Sequence, residues 1–469
     1  MEKSISGTGS FPLHVVVLAA GLGKRMHSAI AKVLQPLAGR PLLRYVLDLA
    51  HSLEPERIHC VVGHQADKVR QEIADPDIHW VVQFAQNGTG HAVAQALPDI
   101  PDKARVLVLY GDVPLLQRAT LLPLLNPALQ QAVTLLTAVV KQPEGLGRIL
   151  RGPDGAVQAI VEHRDADARV RQIQEINTGV LSAPARRLRD WLTQVVPENS
   201  QGEFYLTDCI AMAVRDEVVV QSAIAEDIDD VLGINSRIEL ALAERVYQRR
   251  QANRLLAAGL QLADPARFDL RGQLRHGRDC VVDCNVIFEG RVTLGDRVHI
   301  GANCIIRNST LAAGVSILPM SIVEQAEIHH GAQVGPFARI RPGSVLEANS
   351  RVGNFVELKK TRLGQGSKAS HLSYLGDTDI GKGVNIGAGV ITCNYDGLNK
   401  YRTEIGDGAF IGSDCQLVAP VRIGAGATIG AGTTLTDDAL ADTLTLSRTR
   451  QQTIKDWLRP AGRKPKAEK

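Results

Sequence analysis

The sequence predicts a two-part chain, an α/β domain built on a parallel sheet followed by a parallel β-helix of hexapeptide repeats. Three observations predict it. From Ile405 to Leu435 aliphatic residues stand at Ile405, Ile411, Leu417, Ile423, Ile429 and Leu435, a spacing of six held through six members. That period fits neither a helix nor a simple strand alternation. It fits a chain that turns a corner every six residues, so that three short strands close one triangular coil. From Pro12 onward, by contrast, near-continuous apolar runs alternate with amphipathic helical segments, the pattern of a parallel sheet covered on both faces. With 469 residues the chain also exceeds one ordinary core.

Taken in order, the first eleven residues are polar, lack an apolar core and read as a tail, not a signal peptide. Strands are predicted at 13–21, 57–63, 79–83, 105–112 and 132–140, with helices at 41–53 and 66–74 among the segments between them. Ligands in such sheets bind beyond the carboxyl ends of the strands. After the first strand comes Gly21-Leu22-Gly23-Lys24-Arg25-Met26, where backbone N–H groups and two cations suit a phosphate. Met26 stands where a dinucleotide fingerprint needs glycine, and a P-loop is not matched, so a plain strand–helix turn remains open. Asp112, at the exit of the fourth strand, is either a turn-former or a carboxylate for Mg²⁺.

Ser236 to Glu239 forms a capping box that opens a helix ending before Gly259. Such a helix either links two domains or packs on the first. Beyond it the six-residue period runs through Phe288, Leu294, Ile300 and Ile306, then Leu311, Ile317 and Val323, then from Ile328 to Leu358 after a one-residue slip. A second inward register holds Val286, Val292, Val298 and Cys304. At 18 residues per coil the span 282–435 gives roughly eight to nine coils. Two stretches, 362–379 and 393–403, break the period and are expected as surface loops carrying chemistry. His371 lies in the first, where Tyr374 and the cations Arg341, Lys359 and Lys360 suit a sugar phosphate or form a solvated rim.

The partition is a tail over 1–11, a first domain over 12–236, a linker helix over 237–259, a β-helix domain over 260–449 and a basic tail over 450–469, with Trp457 as an anchor if it docks. Net charge of +3 with 44% apolar residues gives no warrant for nucleic-acid binding, and no apolar run is long enough for a membrane span. A cytoplasmic protein is expected. Of the seven cysteines, Cys280, Cys304 and Cys415 fall on inward positions and read as packing residues in preference to zinc ligands.

LAAGLGKRM, the Lys32 region, GTGHA, YGDVP, GLGRI, VEH and QEINTG resemble the sugar-nucleotide pyrophosphorylase fold. With QGEFYLTD, HLSYLGD and NIGAGVITCNYDG following in order, nearly the whole chain resembles the bacterial bifunctional N-acetylglucosamine-1-phosphate uridylyltransferase/glucosamine-1-phosphate acetyltransferase family. The resemblance implies a Rossmann-like nucleotidyltransferase domain, then a left-handed parallel β-helix, in a cytoplasmic homotrimer that makes UDP-N-acetylglucosamine for cell-wall and lipopolysaccharide synthesis. It implies that Leu18, Ala19, Ala20, Gly21, Gln83, Gly88 and Thr89 hold the uridine and its loop. Tyr110, Gly111 and Asp112 match the stretch reaching sugar phosphate and metal, and Gly147, Glu162 and Asn177 the sugar contacts. Asp112 and Asn235 match Mg²⁺ ligands, and Arg25 and Lys32 the triphosphate-binding cations.

In the second half His371 matches the general base, and Arg341, Lys359, Tyr374 and Asn385 match sugar-phosphate positions. Asn394 and Tyr395 match a stretch near the reacting groups; Ala388, Ser413, Ala431 and Arg448 match acetyl-CoA contacts. Lys24 and Ala31 depart from the family's usual Thr and Pro, and Ala31 is expected to loosen the loop carrying Lys32. The implied substrates are UTP, N-acetylglucosamine-1-phosphate, glucosamine-1-phosphate and acetyl-CoA, with Mg²⁺ as cofactor and neither nucleic acid nor membrane as partner. Two rivals stand beside this reading: a single-activity pyrophosphorylase with a β-helix scaffold, and a non-catalytic assembly protein.

Overall fold

The computed structural model describes residues 11–447 and 449–457. Arg448, most of the expected N-terminal tail and residues 458–469 of the basic tail lie outside the described residues. The chain divides into two compact units that meet between Gln251 and Ala252, inside a continuous helix that runs from Arg237 to Ala257. No helix among the described residues is long and apolar enough to cross a membrane.

The first unit is a nine-stranded mixed sheet with helices on both faces. In chain order its strands and main helices are β1 (Leu13–Ala19), α1 (Leu42–Ser52), β2 (Arg57–Val62), α2 (Ala66–Ile73), β3 (Ile78–Val82), α3 (Thr89–Ala96), β4 (Arg105–Tyr110), β5 (Val133–Val139), β6 (Arg148–Arg151), β7 (Val157–Val161), β8 (Glu175–Pro184), α4 (Ala185–Leu192), α5 (Asp208–Arg215) and β9 (Val220–Ile224). The sheet order is β9-β5-β8-β4-β1-β2-β3, with β6 and β7 paired beside β8. Side chains alternate across a strand, so Val15, Val17 and Ala19 join one core with α1 and α2, while Val16 and Leu18 join another with α3, α4 and α5. That is why β1 reads as an unbroken apolar run.

The expected parallel order holds for β1 with β2 and β4, for β2 with β3, and for β5 with β9. It fails at β8, which runs antiparallel to both β4 and β5. The reason lies in the connection: between β5 and β8 the chain makes the antiparallel hairpin β6–β7 instead of a helical crossover, and a parallel return needs such a crossover.

The helix Arg237–Ala257 opens at the predicted capping box, with the carboxylate reaching one residue further back than the motif requires. The Glu239 amide donates to Ser236 Oγ at 3.3 Å, while the Glu239 carboxylate accepts the backbone N–H of Asn235 at 2.7 Å. Its end is a Schellman turn. Gly259 takes φ +97°, and the Leu260 and Gly259 amides donate to the Leu255 and Leu256 carbonyls at 3.0 Å each.

The second unit consists of parallel strands stacked coil on coil, eleven on one face and seventeen shared between the other two. The inward rows read from the sequence are buried, from Phe288 through Leu358 and from Ile405 through Leu435. Cys280, Cys304 and Cys415 sit among them with no exposed surface. Coils take 18 residues where Ile287 pairs with Ile305 and 17 where Ile305 pairs with Ile322.

One expected break is not a loop. Arg362–Leu363, Lys368–His371, Tyr374–Gly376 and Thr378–Ile380 are strands in register with the coils before and after them. Five-residue steps from Leu358 to Leu363 and from Leu375 to Ile380, with small Ala369 inward, disturb the sixfold count without adding residues. The other break is a true insertion: Ile391 pairs with Gln416, 25 residues on, and residues 394–402 bulge from the coil.

Candidate active sites

In the first unit a cleft of about 790 Å³ opens beyond the carboxyl ends of β1 and β4. Leu18, Ala19, Ala20, Gly21, Arg25, Lys32, Gln83, Gly88, Thr89, Tyr110, Asp112, Asn177 and Asn235 all line it. Met26, where a dinucleotide motif would carry glycine, is buried and anchors the loop. Lys24 is exposed outside the cleft wall. Gly23 takes φ +61° and cannot carry a side chain without loss, because a β-carbon there would stand 2.7 Å from that of Lys32. The loop that bears Lys32 is tied down: Gln35 Nε2 donates to Ser28 Oγ at 3.1 Å and to the Ile30 carbonyl at 3.0 Å, and Gln65 Nε2 donates to the Ala29 carbonyl at 3.1 Å.

Lys32, Asp112 and Asn235, 80 and 203 residues from Lys32 in sequence, meet in this cleft. The Lys32 ammonium donates to the Asp112 carboxylate and, at 3.0 Å, to Asn235 Oδ1. One carboxylate oxygen and one amide oxygen thus converge on a single cation. Hard oxygen donors facing one point are the donor set that Mg²⁺ takes alongside water and phosphate, so these residues fit the ion.

Thr89 and Gln83 are held in place. Thr89 Oγ1 accepts the Leu206 amide at 3.2 Å, and Gln83 Nε2 donates to the Gly88 carbonyl at 3.2 Å. Burial, reinforced by Glu162 and Asp112, pushes the Tyr110 phenol far up, so it stays neutral. Gly111, Gly147 and Glu162 stand behind the wall. The Gly111 amide donates to the Leu18 carbonyl at 2.9 Å, and a β-carbon on Gly147 would lie 3.4 Å from the Glu162 carboxylate. Burial raises the pKa of Glu162, while a 3.2 Å bond from Thr207 opposes the shift. Sequence reasoning missed Gln86, Glu144, Glu203 and Glu239, which also line the cleft. Glu239 was legible only as a helix cap, yet its carboxylate holds the backbone of Asn235.

In the second unit His371 ends a strand at one corner of the prism, its Nδ1 2.7 Å from Asn354 Oδ1. An amide oxygen only accepts, so this pairing calls for the proton on Nδ1, which in the neutral ring leaves the lone pair on Nε2. Asn354 was missed. It occupies the same position one coil earlier, so the coil spacing would have found it. One and two coils beyond His371, Ala388 and Ser413 continue that file, followed by Ala431.

Arg341 and Lys359 stand near the next corner instead. Their file alternates in sign through Arg271, Glu289, Arg307 and Glu324, each bridged to its neighbour. It then places Arg341 and Lys359 in adjacent coils, where alternation would put an acid. Arg341 takes Glu357 as a partner at 2.7 Å. Two like charges side by side cost stability unless an anion joins them.

Tyr374 and Asn394 converge over Gly376, where an added β-carbon would meet the Tyr374 hydroxyl at 2.5 Å and Asn394 Nδ2 at 2.8 Å. Asn394 is buried and donates to Asp377, whereas Tyr395 is exposed on the inserted loop. Asn385 is half-buried on the coil after His371.

Comparison with known proteins adds three family matches. A MobA-like NTP transferase domain matches residues 15–184, a bacterial transferase hexapeptide of six repeats matches 402–437, and a hexapeptide repeat of succinyl-transferase matches 291–319. The chain is 52% identical to the bifunctional protein GlmU of Marinobacter nauticus over 449 residues, 96% of this chain and 99% of that protein. It is 54% identical to the bifunctional protein GlmU of Stutzerimonas stutzeri over 448 residues, 96% and 99% of the two chains. For that of Alkalilimnicola ehrlichii the identity is 52% over 456 residues, 97% and 98% of the two chains.

Proposed function

The chain belongs to the family of bifunctional GlmU proteins, and from that premise we propose how its two sites divide the work. It is a two-site enzyme that acetylates glucosamine-1-phosphate with acetyl-CoA and transfers UMP from UTP to N-acetylglucosamine-1-phosphate, giving UDP-N-acetylglucosamine and pyrophosphate. The observation that carries this reading is identity of 52–54% across both halves at once.

Uridylyl transfer belongs to the cleft of the first unit. Leu18 to Gly21, Gln83, Gly88 and Thr89 bind the uridine end, and Asn177, Gly147 and Glu162 shape the sugar end. The attacking phosphate oxygen is already anionic, so no strong base is required; alignment and charge neutralisation carry the step. Arg25 and Lys32 supply the positive charge toward the triphosphate. Asp112 and Asn235 would hold Mg²⁺, which when bound would supply Lewis-acid neutralisation of phosphate oxygens.

Acetyl transfer belongs to the prism corner of the second unit. His371 Nε2 takes the proton from the amine of glucosamine-1-phosphate as the amine attacks the thioester. Arg341, Lys359, Tyr374 and Asn385 hold the sugar phosphate. Ala388, Asn394, Tyr395, Ser413, Ala431 and Arg448 hold acetyl-CoA. Within one copy His371 and the Arg341–Lys359 pair lie at opposite edges of one face, with strand Tyr374–Gly376 between them. A triangular prism suits three-fold packing, and in this reading the working form is a homotrimer whose copies share the acetyl-transfer site. In this reading it works in the cytoplasm. The domains work as 12–236 and 260–449, joined through the helix of 237–259.

The test follows free thiol and pyrophosphate in parallel from purified protein with glucosamine-1-phosphate, acetyl-CoA, UTP and Mg²⁺. Asp112→Asn is expected to abolish pyrophosphate release and spare thiol release, and His371→Ala to do the reverse. Equal loss of both products in either variant would overturn the division into two sites.

A further inference from the structure

Lys32 does more in this chain than wait for a triphosphate. Its ammonium bonds both Asp112 and Asn235 Oδ1. The side chains of Lys32 and Asp112 are 12% and 15% exposed, so the pair is largely shielded from water. Lys32 thus engages one of the two Asp112 carboxylate oxygens and the Asn235 amide oxygen, hard donors of the kind a divalent ion would take.

We infer that Lys32 is a built-in counter-ion that holds the metal position of the nucleotide-free enzyme and must swing out before Asp112 and Asn235 can ligate a metal. This rests on the reading of Asp112 and Asn235 as the metal-holding pair. An ammonium and a dication set against the same two oxygens repel each other at such range and compete for their lone pairs, so the metal binds better once Lys32 has left. Surrounding geometry favours the placement. Gly23 closes against the Lys32 β-carbon, and the Glu239 carboxylate fixes the Asn235 backbone from the far side.

The consequence is coupling between metal and nucleotide. In the empty cleft the ammonium competes with free metal and keeps its affinity low. A triphosphate offers Lys32 a new anionic partner and releases the two oxygens. Linkage then requires that metal and nucleotide each strengthen the other's binding by the same factor.

The test titrates nucleotide-free protein with Mn²⁺, read by the loss of free-ion EPR signal, so that turnover plays no part. Lys32→Met, and Lys32→Gln as a second variant should the first fold poorly, are expected to bind Mn²⁺ about tenfold more tightly than the unaltered enzyme or better, within the usual range of such couplings. Equal or weaker binding in both variants overturns the inference. Asp112→Ala in each background separates the two claims. Loss of Mn²⁺ binding with Asp112→Ala but no gain with Lys32→Met leaves the metal site standing and removes the counter-ion role. Mn²⁺ binding indifferent to Asp112→Ala overturns the metal site itself, and the inference with it.

Discussion

The pair Asn354–His371 sets the proton on one ring nitrogen and aims the other. Removing the amide oxygen frees the tautomer and the ring. Asn354→Ala is therefore expected to slow thiol release by about 10- to 100-fold, a part of the 10²–10⁴ that a positioned base supplies, while pyrophosphate release stays unchanged. A second pair works against acid. His14 Nδ1 and His59 Nε2 are 3.0 Å apart and buried between β1 and β2, with Glu56, Arg57, His79 and Asp99 around them. Burial first, then His14, His79 and Arg57, lowers the pKa of His59 to about 4, and burial lowers that of His14. Unfolding returns both to about 6.5, so the unfolded chain binds more protons in between. Stability is full above about pH 6.5 and declines toward pH 4. Urea midpoints of the first unit should fall over that window, and His14→Gln with His59→Gln should flatten the fall. His371 was legible as a candidate base from its motif. Asn354 was not, because its meaning depends on which residue lies one coil above it.

At the scale of elements, the period of six exposed the β-helix and both inward registers, because each inward position faces the same dry core. It misjudged residues 362–379, because five-residue steps look like a break to a count of six and like an ordinary corner to a coil. In the first unit the expectation of a parallel sheet did not foresee the antiparallel β8, because its residues do not reveal their direction; the hairpin β6–β7 decides that. The Lys32 loop offers a direct test. Ala31 adopts φ −52° and ψ 140°, values natural to proline, and the surrounding hydrogen bonds already hold the loop. Ala31→Pro should therefore raise stability by about 0.4–1 kcal/mol, chiefly by restricting the unfolded chain. Denaturant midpoints would record the gain, and a loss would show that the ring collides with Ile30 or its neighbours.

At the scale of the whole molecule, one corner of the prism contradicts local preference. Its left-handed position is filled by Asn285 and Asn303 at the start and by Gly389, Asp414 and Gly432 at the end, residues suited to positive φ. Between them stand Met320, Phe337, Phe355 and Leu372, with φ from 49° to 62° and exposures between 47% and 61%. Bulky apolar residues pay twice there, in backbone strain and in exposure to water. Phe337 and Phe355 even stack, with centroids 5.3 Å apart. The ridge runs beside Asn354 and His371, and a second copy of the chain covering it would offset both costs while closing the acetyl site. Phe337→Asn with Phe355→Asn keeps the corner conformation and removes the apolar surface, so the variant should fold at least as well as a single copy. Sedimentation should then report a monomer, with thiol release down by tenfold or more and pyrophosphate release intact. An oligomer of unchanged size that still releases thiol at full rate would show that this corner faces water in the working enzyme, and that the strain there serves some other end.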